Sequence, residues 1–147
     1  MLYPEQSAYV ESEILNASPE RLVNLLYGLA KKSLVAARQC NQAKDISGRG
    51  YYVNKVFAVL VELQNGLDFE QGKEIAENYA RLYDYCQRRL LEAHAQQSDA
   101  IFAEVQSLVE ELTEAWQVVV AKSAAALHSS PIPLRSEHVA GSLDCVG

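Results

Sequence analysis

Four prolines limit what this chain can fold into more than any other feature. Pro4 and Pro19 stand near the start, Pro131 and Pro133 near the end, and none lies between. Proline removes a backbone donor and clashes with the preceding turn, so a long interval without it is open to long helices. That interval is filled with Ala, Leu, Glu, Gln, Lys and Arg, the better helix formers. Its glycines and turn formers gather at residues 44–50, 66–72 and 96–99, which leaves four segments.

Each segment carries apolar residues in alternating steps of three and four. The first opens at Ser18-Pro19-Glu20, with a capping hydroxyl, a proline for the first helical position and an acid for the positive end of the dipole. Its stripe runs Leu22, Leu26, Leu29, Ser33, Ala36, Cys40. The second is Val53, Val56, Leu60, Leu63, Leu67; the third Ile75, Tyr79, Leu82, Cys86, Leu90, Ala93; the fourth Ile101, Val105, Leu108, Leu112, Ala115, Val119. Such stripes with short connections predict an all-α fold, an antiparallel up-down four-helix bundle over residues 18–127. Residues 1–17 read as a short N-terminal segment, and residues 128–147, which have no period, as a flexible tail.

Charge and cysteine usage remove several function classes. Thirteen Lys and Arg against 19 Asp and Glu give a net charge of -6, which argues against holding nucleic acid or an anionic membrane by bulk charge. No apolar run reaches the roughly 18–20 residues of a membrane span, and no basic stretch leads into an apolar one at the N-terminus. Cys40, Cys86 and Cys145 are far apart and odd in number, as expected of a reducing, cytoplasmic setting.

No catalytic constellation is present. No His follows a Glu by three residues, and neither a H-E-x-x-H nor a phosphate-loop motif occurs. Gly48-Arg49-Gly50 reads as a loop, and Glu62, Glu70, Glu110 and Glu111 as acids of exposed faces and loops. The reading is a non-enzyme with no cofactor and no metal. One alternative rests on His94, since a lone helical histidine in a bundle can serve a signalling or phosphotransfer module; its neighbours Ala95-Gln96-Gln97 offer no lysine for a phosphoryl group.

The four stripes leave apolar residues over. Val56-Phe57-Ala58-Val59-Leu60-Val61 and Trp116-Gln117-Val118-Val119-Val120 are apolar on nearly every side, more than an outer bundle helix needs. Phe57, Val59, Val61, Trp116, Val118 and Val120 are therefore candidates for a groove that takes an amphipathic helix, unless a broad core or the N-terminal segment covers them, or two copies pair through them.

Blocks of residues then resemble a known family. Ala17-Ser18-Pro19-Glu20-Arg21-Leu22, Leu25-Leu26-Tyr27, Asn54-Lys55, the run from Leu67-Asp68-Phe69-Glu70-Gln71-Gly72 through Glu74-Ile75-Ala76, Leu82-Tyr83-Asp84-Tyr85 and the closing spacing to Trp116 look like the FliS flagellar export chaperones. The resemblance spans about residues 8–120. It implies a cytosolic helical bundle that binds the disordered C-terminal region of flagellin, keeps it from polymerising and aids its delivery to the flagellar type III export gate. It also implies an N-terminal segment that lies on the bundle and is displaced by flagellin, which makes Tyr9, Ile14 and Leu15 candidates for that cap. One departure stands out: where the family commonly has L-Y-D-G, this chain has Leu26-Tyr27-Gly28-Leu29, so glycine replaces the acid.

Overall fold

The computed structural model describes residues 18–126, with side chains through residue 121, as four α-helices. They are α1 Pro19–Gln42, α2 Ile46–Asn65, α3 Phe69–Gln96 and α4 Asp99–Ala126. The N-terminal segment, with Tyr9, Ile14 and Leu15, and the tail 128–147 lie outside the described residues.

Local chemistry explains the helix ends. At α1, Ser18 is extended and its hydroxyl accepts the Arg21 N–H at 3.3 Å, with Pro19 in the first turn. α2 starts at once after Asp45, whose carboxylate accepts the Gly48 N–H at 3.0 Å. Gly48-Arg49-Gly50 is thus helical, not a loop. A Cβ at residue 48 would strike the Asp45 carboxylate and lie 2.9 Å from Cys40 Sγ, so glycine is what lets the end of α1 and the cap of α2 close together. Asp68 caps α3, accepting the N–H groups of Glu70 and Gln71 at 3.0 and 3.2 Å. One turn later α3 kinks at Lys73, whose φ of 49° and ψ of -119° belong to a region that glycine occupies far more readily. Gln97 ends α3 in the left-handed conformation, and the Ser98 hydroxyl accepts the Ile101 N–H at 3.2 Å to start α4.

Connections of two or three residues turn each helix back on the last, so the chain runs up, down, up and down. α1 packs on α2, α2 on α3, α3 on α4, and α4 returns to α1 to close the ring. The tightest pairing is α1 with α2.

The core follows the expected stripes only in part. On α2 the expected Val53, Val56, Leu60 and Leu63 are all buried. On α1 the buried face is turned by one residue to Leu22, Val23, Leu26, Tyr27, Ala30, Ser33, Leu34 and Ala37, leaving Leu29, Ala36 and Cys40 half-buried. α3 keeps its expected Cys86, Leu90 and Ala93 inside, but its first half is turned to Ala76 and Tyr83, leaving Ile75 and Leu82 exposed. On α4, Ile101, Phe102, Val105, Val109, Leu112 and Trp116 are buried and Ala115 is exposed.

The polar interior accounts for this rotation. The hydroxyls of Tyr27 on α1 and Tyr83 on α3 lie 2.6 Å apart inside the bundle, and two tyrosines can meet there only if both helices present them inward. Burial pushes both phenol pKa values well above their usual range, so the pair stays neutral. Glu62, expected on an exposed face, is also buried.

Candidate functional site

His94 sits near the C-terminus of α3, where Gly50 leaves space beside its ring. Its Nδ1 accepts a hydrogen bond from Arg49 Nε at 3.0 Å, and Arg49 Nη1 donates to Asn41 Oδ1 at 3.1 Å. A neutral imidazole has one ring lone pair, and Arg49 holds it. Arg49 itself is buried, and its cation lies where α1 and α3 both end, so the negative ends of two helix dipoles face it. This is the chemistry of a structural clamp at one end of the bundle.

Among the described residues no group of three or more His, Cys, Asp or Glu is placed to hold a metal ion, and no helix is long and apolar enough to cross a membrane. Burial pushes the Cys86 thiol up to about 11, which keeps it protonated and unreactive.

The six apolar candidates divide by helix geometry. Residues two apart on a helix point about 200° apart, so Phe57 and Val61 share a side that Val59 does not, and Trp116 and Val120 share a side that Val118 does not. Val59 and Trp116 accordingly lie in the core, 2% and 0% exposed, and offer no surface as the bundle stands. Phe57, Val61 and Val120 are half-buried, and Val118 is 54% exposed. The structure does not gather them into one patch. α2 packs along α1 and α3, whereas Val120 faces α1 across a cleft with Asn24, Gly28 and Lys31.

Among the described residues, an exposed apolar flank runs along α3 and α4. Glu104 fixes the register there: it takes Arg89 Nε at 2.6 Å and the Tyr85 hydroxyl at 3.3 Å. One to three turns from that latch, antiparallel geometry brings Leu82 and Ile75 beside the turns of Leu108, Leu112 and Ala115. Ile75 is 47% and Leu82 39% exposed, Ala115 is exposed, and Tyr79 and Leu108 are half-buried. The bounding side chains Glu74, Asn78, Arg81, Glu111 and Glu114 are exposed and polar. An apolar strip with a polar margin suits the apolar face of an amphipathic segment. Sequence reasoning had both stripes but placed Ile75, Leu82 and Ala115 inside. The missing signal was Tyr83, one residue past Leu82, whose buried hydroxyl sets the rotation.

Comparison with known proteins agrees with this architecture. The family model described as flagellar protein FliS matches residues 1–123. The flagellar secretion chaperone FliS of Salmonella typhimurium is 36% identical over 115 residues, 78% of this chain and 85% of that protein. The flagellar secretion chaperone FliSB of Pseudomonas aeruginosa is 32% identical over 111 residues, 76% of this chain and 88% of that protein. The Bacillus subtilis FliS chaperone is 25% identical over 124 residues, 84% of this chain and 92% of that protein. With a helical bundle, a match across most of its length and relatives of this identity, the chain belongs to the flagellar protein FliS family.

Proposed function

We propose that this protein is a cytoplasmic chaperone of flagellar secretion that binds the disordered C-terminal region of flagellin, prevents its premature polymerisation and aids its delivery to the flagellar type III export gate. The uncovered apolar flank of α3 and α4 carries the reading. A segment that is disordered when free folds as amphipathic helix when its apolar face meets such a strip, and the energy of burial offsets the cost of ordering it. Covering the segment hides the face it would use against other flagellin subunits, and no covalent step is needed.

On this reading the segment lies over Ile75, Leu82 and Tyr85 of α3 and Val118 of α4, and Phe57, Val61 and Val120, which are off this flank, are reached only where the segment continues around the bundle. Val59 and Trp116 support the surface from below. Tyr9, Ile14 and Leu15 belong to a segment that covers part of this surface until flagellin displaces it. The same apolar flank also allows two copies to pair, in which case flagellin and the second copy compete for it.

Calorimetry and gel filtration of the full chain with flagellin's C-terminal segment test the proposal. A complex at micromolar concentration is expected; its absence overturns the reading. Light scattering as the segment is added separates a shared surface, where any dimer dissociates as the complex forms, from an independent one.

A further inference from the structure

The seam between α1 and α4 is shut at one end and open further along. Arg38 shuts it: Nε and Nη2 each donate to an Asp99 carboxylate oxygen at 2.8 Å, and Nη1 donates to Gln106 Oε1 at 2.8 Å. Stepping back along α1 by helical turns, the seam passes Lys31, Gly28 and Asn24, and on α4 it passes Thr113, Gln117 and Val120. These six residues line an open cleft of about 310 Å3.

Gly28 contributes no side chain to its lining. Glycine weakens the middle of a helix, and the usual compensation is the close approach of some other group. Here a Cβ on residue 28 would have nothing within 4 Å. Beside it stands Lys31, half-buried and with no carboxylate in ion-pair reach among the described residues. The remaining donors are the side-chain amides of Asn24 and Gln117. The Thr113 hydroxyl is turned away, donating to the Val109 carbonyl at 2.7 Å. Val120 and the bare Gly28 backbone leave room for methylene groups. A cation and two amides around a short apolar throat suit a carboxylate on a short stem.

We propose that this cleft receives an Asp or Glu side chain of the bound segment, paired to Lys31, and so sets the register in which the segment lies along the bundle. The proposal rests on the flagellin reading above.

Calorimetry of the full chain with flagellin's C-terminal segment tests it. Lys31→Gln is expected to weaken binding about fivefold, the size of a partly exposed ion pair. Lys31→Arg should retain affinity. Gly28→Asp, which places a carboxylate in the cleft three residues from Lys31, should weaken binding as much as Lys31→Gln while circular dichroism shows an intact bundle. Lys32→Gln, which removes the same charge from an exposed face, should stay within about twofold of wild type. Changing each Asp and Glu of the segment to its amide should find one whose effect disappears in Lys31→Gln. Wild-type affinity in both Lys31→Gln and Gly28→Asp, or an equal loss in Lys32→Gln, overturns the cleft while leaving the chaperone reading standing. A wild-type chain that ignores the segment overturns the chaperone reading itself.

Discussion

Trp116 and Val118, two residues apart on α4, separate core from surface. Trp116 is 0% exposed, and removal of a buried Trp or Phe side chain to Ala costs about 3–5 kcal/mol in lost transfer energy and cavity. One correction applies: the indole Nε1–H is buried with no hydrogen-bond partner among the described residues, and an unmet donor costs about 1–3 kcal/mol in the native chain. Trp116→Ala removes that penalty along with the ring, so the lower end, about 3 kcal/mol, is expected. Against a typical domain stability of about 5–15 kcal/mol that is a large fraction. With an m-value of about 1.5 kcal/mol/M the urea midpoint falls by about 2 M. Trp116→Phe keeps most of the packing and removes only the unmet donor and part of the ring, so it should cost less than about 1.5 kcal/mol. Val118→Ala, at a site 54% exposed, should move stability by no more than about 0.5 kcal/mol, yet weaken capture of flagellin's C-terminal segment. Urea unfolding followed by far-ultraviolet circular dichroism measures all three. The chain holds a single Trp, so wild-type fluorescence reports the same site independently. An unchanged urea midpoint in Trp116→Ala would refute the assignment of the indole to the core.

Three further outcomes follow from the polar interior, the kink and the seam. Tyr27→Phe and Tyr83→Phe should each cost about 1–3 kcal/mol by leaving the other hydroxyl unmet, and the double variant should cost no more than the worse single; additive losses would show that the hydroxyls are not paired. Lys73→Gly should stabilise the bundle by about 1 kcal/mol, roughly 4 °C in melting temperature, because glycine tolerates the kink's dihedrals; a lower melting temperature would mean the kink does not form. The Arg38 guanidinium hydrogen-bonds Asp99 and holds its carboxyl below the usual carboxylate range. Since the folded pKa is the lower one, this stabilisation is complete above the unfolded value of about 4 and fades as pH falls through the folded value. Asp99 is 43% exposed, so the contribution is below about 1 kcal/mol. Asp99→Asn should flatten the acid limb of stability by that amount, and an unchanged limb in urea titrations across the acid range would discount the pair.

The capping of α1 by Ser18 and Pro19 is legible directly, since a cap depends on residues within one turn of it. The glycines at 48 and 50 misled, because a glycine marks a turn only when nothing nearby demands its lack of a side chain; here Asp45 and Cys40 crowd Gly48 inside the helix. The six surplus apolar residues misled for a different reason. They recur at spacings of two, which on a helix spreads them around the axis, so the core claims Val59 and Trp116 and leaves Val118 outside.

What the sequence determined alone is the architecture. Proline-free segments, alternating three-and-four stripes and short turns admit little besides four antiparallel helices, and the motif blocks named the family. Which residues of each stripe face inward was settled only in three dimensions. A stripe locates a helix face to within about one residue, or 100°, and the final rotation depends on partners distant in the chain: Tyr27 meeting Tyr83, Arg38 meeting Asp99, Glu104 meeting Arg89. That rotation exposes Ile75 and Leu82. The surfaces available to a partner are therefore properties of helix packing, which no local pattern encodes.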